Sequence, residues 1–125
     1  MLQETERKIL ASGINLRYLP GEYLFRQGQT IDYIFFLLKG KICLEMPNKD
    51  AFDLEDAPVF LGLSQELRTH PFSTHTLAPS DFLVYERGYF EDLLNEFDPQ
   101  RTYLQQVSSQ FSNLLQSLRK KENHR

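Results

Sequence analysis

Tryptophan is absent from the 125 residues, and cysteine occurs once. Cys43 alone can form no internal disulfide, so no covalent staple holds the fold. A small unstapled protein suits a reducing compartment, and the expected location is cytoplasmic. Its alternation with Ile42 and Leu44 points to a buried structural thiol, since a redox sensor needs an accessible, electropositive site. No apolar run approaches the roughly 18 residues of a membrane span. The start, Met1 to Lys8, is charged and lacks the apolar stretch of a secretory signal, so no membrane contact is expected. Basic charge is also short. The formal net charge is −3, whereas nucleic-acid binding rests on phosphate contacts and leaves a basic face. The one basic cluster, Arg119, Lys120, Lys121, His124 and Arg125, reads as a solvated helix end that complements the helix dipole. No nucleic-acid partner is expected.

Histidine is limited to His70, His75 and His124. Glu66 precedes His70 by four, but no His-x-His pair occurs. A metal site needs at least three convergent ligands. No metal or other cofactor is therefore expected, and each histidine reads as solvated or hydrogen-bonded. A cupin-like metalloenzyme remains the catalytic rival. Ser64, in Gly62-Leu63-Ser64-Gln65-Glu66, lacks the second glycine of a nucleophile elbow. Asp53, Glu55 and Asp56 read as the solvated face of a hairpin. The chain is not expected to be an enzyme.

What is present is bulky apolar material: ten phenylalanines and six tyrosines. The length suits one domain with one core. Thr5 to Ser12 reads as a short helix stopped by Gly13. Short strand candidates follow, separated by glycine and proline turns: Leu16–Leu19, Tyr23–Arg26, Ile31–Leu38, Lys41–Met46, Ala51–Asp56, Val59–Leu61, Phe72–Leu77 and Phe82–Tyr85. Ile31–Leu38 is dense in β-branched and aromatic residues, as in a strand buried on both faces. Ile42 and Leu44 alternate with Lys41, Cys43 and Glu45. Ala51–Asp56 reads as a weak edge strand, and Ser64–Leu67 as one helical turn. The period then changes. Phe90, Leu93, Leu94 and Phe97 recur at helical spacing. Asp98-Pro99 reads as an N-cap and first helical residue, starting a last helix from about Pro99 to Lys120. The order predicts a mainly β fold with flanking helices, an antiparallel β-roll or jelly roll followed by a long C-terminal helix. One domain would cover 1–125: an N-terminal helix at 1–14, the roll at 16–86 and the C-terminal helices at 88–120.

Leu19-Pro20-Gly21-Glu22-Tyr23-Leu24-Phe25-Arg26-Gln27-Gly28-Gln29, followed by Asp32 to Ile42 with Gly40 inside it, resembles the cyclic-nucleotide-binding domain family. Three features hold register there: the opening turn, the L-F-x-x-G strand end, and the F-x-L-x-x-G-x-I strand pair. Gly62 looks like the glycine that opens the family's phosphate-binding cassette. Tyr89 to Phe97 is similar to the helix after the roll. Arg101 to Leu118 is similar to the long helix that pairs subunits in the catabolite-activator branch. The resemblance implies a regulatory module with a ligand pocket at Gly62, Leu63, Ser64, Arg68, Phe72, Ser73 and Thr74. It also implies a glutamate after the cassette glycine and a later arginine, the partners of ribose and phosphate. Leu63 and Phe72 stand at those positions here, and Arg68 lies four residues early. Leucine accepts no hydrogen bond and phenylalanine neutralises no phosphate, so a cyclic nucleotide is not expected to bind in the usual way. A pocket filled by its own side chains or shaped for a small apolar ligand, walled by Leu61, Leu63, Phe72 and Leu77, is expected instead. A genuine sensor using Gly62 amides, Arg68, Ser73 and Thr74 is the alternative. The branch's DNA-reading helix-turn-helix would follow the long helix and is not expected, since the chain ends at Arg125.

Leu104, Val107, Phe111, Leu114 and Leu118 are spaced three and four apart, an a/d seam. Such a stripe serves either a homodimer or a helix lying on its own roll. With the resemblance, the expected partner is a second copy of the chain, beside a possible protein partner.

Overall fold

The computed structural model describes residues 2–56, 58–63 and 67–122. Helix α1 (Leu2–Ala11) leads into β1 (Ile14–Tyr18), β2 (Tyr23–Phe25), β3 (Tyr33–Lys39), β4 (Lys41–Glu45), β5 (Ala51–Glu55), β6 (Phe60–Leu61), β7 (Ser73–Thr76) and β8 (Ser80–Glu86). Helices α2 (Arg87–Phe97) and α3 (Thr102–Glu122) follow. The strands pair antiparallel in two four-stranded sheets, ordered β1-β8-β3-β6 and β2-β7-β4-β5. This is the mainly β roll with flanking helices that the strand-and-turn pattern predicts.

Strand β3 shows why the sheets and helices meet as they do. Ile34, Phe35, Phe36 and Leu37 are all buried. Phe35 and Leu37 enter the core between the sheets with Phe25, Ile42, Leu44 and Phe82. Ile34 and Phe36 face the other way and pack with Ile9 of α1, Phe90, Leu93 and Leu94 of α2, and Leu104 of α3. A strand with no solvated face needs cover on both sides, and the helices supply the second cover. Tyr85 ties α1 down by donating its hydroxyl hydrogen to the Ile9 carbonyl at 2.7 Å.

The alternation of β4 holds: Ile42 and Leu44 are fully buried toward the core. Cys43 is also buried, and burial, with Asp53 and Glu45 nearby, pushes its thiol up to about 11. It is a protonated structural thiol at neutral pH. Strand β5 is the edge strand of its sheet. Gly40, between β3 and β4, has φ +130, and a Cβ there would lie 2.2 Å from Ser80 Oγ. The close approach of these two turns leaves room for glycine alone.

The last helix starts later than Asp98-Pro99 suggests, at Thr102 rather than Pro99. Asp98 still caps it, from further away. Its buried carboxylate accepts the backbone N–H groups of Tyr103 at 3.2 Å and Leu104 at 3.1 Å. These are donors that the first helical turn cannot satisfy itself. Arg101, at φ 60, makes the intervening turn, and its guanidinium donates to Asn95 Oδ1 at 2.6 Å. Strand β1 begins at Ile14, ahead of the expected Leu16. Of the helical turn expected over Ser64–Leu67, residues 64–66 lie outside the described residues and Leu67 is not helical. His124 and Arg125 of the basic tail also lie outside the described residues.

Candidate functional site

The connection from β6 to β7 builds the site. Gly62 follows β6 at φ +90. A Cβ there would stand 3.0 Å from the Tyr33 carbonyl and 3.5 Å from both His70 Cε1 and Ile31 Cγ2. Leu63 is half-buried against the helix-side core. The returning chain is pinned to the β2–β3 segment by its backbone. Ile31 N–H donates to the Arg68 carbonyl at 2.8 Å, His70 N–H to the Gln29 carbonyl at 2.8 Å, and Gly28 N–H to the His70 carbonyl at 2.9 Å. These bonds carry the His70 side chain inward.

His70 is 3% exposed and stacks on Phe25, with ring centroids 3.6 Å apart and planes within 6°. Its Nδ1 is buried with no hydrogen-bond partner among the described residues. Burial holds the imidazole down to about 4, with Arg87 adding to the effect and Asp32 opposing it. The ring is therefore neutral at pH 7. Phe72, two residues on, is buried and meets Phe25 at 6.0 Å and Phe111 of α3 at 6.2 Å between ring centroids.

Between this connection and α3 lies a cavity of about 160 Å³. The roll contributes Ile31, Phe60, Gly62, Leu63, Leu67, His70, Pro71 and Phe72, and α3 contributes Val107, Ser108, Phe111 and Ser112. No charged side chain is among these described wall residues. Such a space suits an uncharged occupant, because an anion would lose its hydration without gaining a cation.

Of the residues expected here, Gly62, Leu63 and Phe72 come together at the cavity. Ser64 lies outside the described residues. Arg68 is exposed. Ser73 and Thr74 sit further along β7 and are not among the wall residues. Ser73 Oγ accepts the Gln27 N–H at 2.8 Å, and Thr74 is fully buried in register with Leu44. Leu77 is exposed rather than part of the wall, and Leu61 belongs to the core between the sheets.

His70 is buried rather than solvated, and its Nδ1 has no partner among the described residues. The signal was available. Pro71 biases the preceding residue to extended backbone. From there His70, Phe72, Thr74 and Thr76 are buried in strict alternation, which places His70 on the inward face. His75 falls on the other face, with Nδ1 2.7 Å from Glu45 Oε1. Among the described residues no three histidine, cysteine, aspartate or glutamate side chains converge as metal ligands. Glu66 and His124 lie outside them.

The apolar stripe of α3 faces its own roll. Leu104 is buried in the helix-side core and Val107 packs against it. Phe111, Leu114 and Leu118, with Leu115, pack half-buried against the core between the sheets. No helix among the described residues is long and apolar enough to cross a membrane.

A sequence model described as "cyclic nucleotide-binding domain" matches residues 15–97. Solved structures share the fold at low identity. The c-di-GMP responsive global regulator CLP of Xanthomonas campestris is 18% identical, with a TM-score of 0.76 over 97% of this chain and 63% of that one. This chain thus spans under two thirds of that regulator. A protein from a cyclic-GMP-dependent signalling pathway that regulates bacterial phytopathogenesis is 18% identical, with a TM-score of 0.72 over 90% and 95%. A putative cyclic nucleotide-binding protein from Geobacter metallireducens is 14% identical, with a TM-score of 0.67 over 85% and 81%. Comparison with curated proteins finds no match.

The buried histidine has a consequence for stability. Unfolded, its imidazole titrates near 6.5; folded, near 4. Between those values the unfolded chain binds a proton that the folded chain resists, so stability falls as pH drops from about 6.5 to about 4. Urea midpoints measured across that window should show this loss, and His70→Phe, which keeps the stack on Phe25, should flatten it.

Proposed function

Because the chain belongs to the cyclic nucleotide-binding domain family, we propose that it is a non-enzymatic regulatory binding module, cytoplasmic and without membrane or nucleic-acid contacts of its own. Its pocket does not hold cyclic AMP or cyclic GMP in the family's usual way. One observation carries this reading: the cavity beside Gly62 is walled by apolar side chains and a neutral imidazole, with no cation among its described wall residues. Leu63 and Phe72 occupy the positions where the resemblance implies partners for ribose and phosphate. Phe72 is turned into the core against Phe25 and Phe111, and Arg68 is exposed. The signalling roles named for two structural neighbours support a regulatory role of the same general kind. Losing a buried charge-assisted pair costs roughly 2–5 kcal/mol, which moves a micromolar site toward millimolar. Calorimetric titration with cyclic AMP and cyclic GMP should therefore give no dissociation constant below about ten micromolar. A tighter value makes the chain a genuine cyclic-nucleotide sensor.

We also propose that the module is a homodimer through α3. Val107, Phe111, Leu114 and Leu118 remain half-buried after packing on the roll, which leaves an apolar flank along the helix. A two-fold axis beside that flank would bring it against its own copy. Light scattering is expected to give twice the 14.7 kDa chain mass, and a mass matching one chain would contradict the dimer.

A further inference from the structure

The cavity beside Gly62 combines two features that a collapsed core does not need. The first is its volume. About 160 Å³ lies between the β6–β7 connection and α3, close to the roughly 150 Å³ of an engineered apolar cavity that admits benzene. The second is His70. Its ring is buried against Phe25, and Nδ1 has no hydrogen-bond partner among the described residues. Buried polar atoms are almost always paired, and an unpaired one is costly. His70 and Gly62 both line the cavity, and the ring's Cε1 lies 3.5 Å from where a Gly62 Cβ would stand.

Water is a poor occupant, because a buried water needs two to four polar partners. Ile31, Phe60, Leu63, Phe72 and Phe111 offer none, and the polar groups of the described wall are His70 and, at the solvent-facing rim, Ser108 and Ser112. We propose that this cavity binds a small uncharged molecule, about one aromatic ring in size, that is apolar over most of its surface and carries one hydrogen-bonding group for His70 Nδ1. The assignment rests on the functional reading above and deepens it by naming the ligand class. Charge is disfavoured from both directions. The described wall residues carry no ion to pair with a charged ligand, and the imidazole stays neutral at pH 7 because burial holds it down to about 4. Selectivity follows from the same atom. A bare ring fills the space but leaves Nδ1 unpaired, whereas a ring bearing a hydroxyl satisfies it.

The test uses the full 125-residue chain with phenol, toluene and cyclic AMP as separate probes, read by the His70 imidazole NMR resonances and by thermal shift. Phenol is expected to bind saturably and to move those resonances, with toluene about five- to tenfold weaker. In His70→Phe the preference for phenol over toluene should disappear. Ser108→Leu, from the exposed side of α3, should fill the space and abolish binding of both while the circular dichroism spectrum stays unchanged. If His70→Phe fails to fold, the resonance shifts and Ser108→Leu carry the test. Absence of phenol binding, equal binding of phenol and toluene, or undiminished binding in Ser108→Leu would overturn the assignment. Cyclic AMP binding below about ten micromolar overturns the functional reading instead, whereas silence of both probes overturns only the ligand class.

Discussion

The middle of strand β3, Ile34 to Leu37, has no face left for water. Phe35 and Leu37 close the core between the two sheets, and Ile34 and Phe36 on the opposite face need a second layer. That requirement brings α1, α2 and the start of α3 onto one sheet, and it fixes where α3 can begin. Asp98 then secures the beginning by pairing with two backbone donors of the first turn. From that anchor α3 runs across the β6–β7 connection, with Phe111 meeting Phe72. The cavity is the space left where a helix constrained at its base passes a connection pinned to the β2–β3 segment.

This origin explains the chemistry of the cavity. Its walls are borrowed from two cores, so they are apolar by construction. Gly62 keeps its wall close to the Tyr33 carbonyl, where a Cβ would press at 3.0 Å. Histidine enters because a planar ring fits the stack on Phe25, and that burial keeps the ring uncharged. The described walls of the cavity are thus uncharged. The same side chains that wall the cavity also hold α3, so whatever fills the space bears directly on the helix.

Much of the fold was legible in the sequence. The apolar run Ile34 to Leu37 marks a strand covered on both sides, and the alternation in β4 places Ile42 and Leu44 inward. The period change after β8 gave α2 its buried Phe90, Leu93 and Leu94. Gly62, Leu63 and Phe72 meet at one cavity because a glycine-opened connection keeps its neighbours close. Other features were hidden by distance along the chain. Asp98-Pro99 carries the local signature of a cap and first turn, but its carboxylate reaches five and six residues ahead, across a turn that Arg101 makes at positive φ. His70 taken alone reads as solvated or hydrogen-bonded. Its place depended on Pro71 and on alternation through β7, which starts before the ladder itself. Thr74 and Leu77 lie near the cassette in sequence, yet Thr74 is fully buried in β7 opposite Leu44 and Leu77, just past that strand, is exposed.

The central claim is that the cavity beside Gly62 is built for an uncharged occupant and closed to a cyclic phosphate. The most direct measurement is a crystal structure of this protein grown in millimolar excess of cyclic AMP. The account expects Phe72 and Phe111 to stay in contact, with no nucleotide between Gly62 and Phe72. An ordered nucleotide there, its phosphate held by Arg68 or by the amides after Gly62, would contradict it.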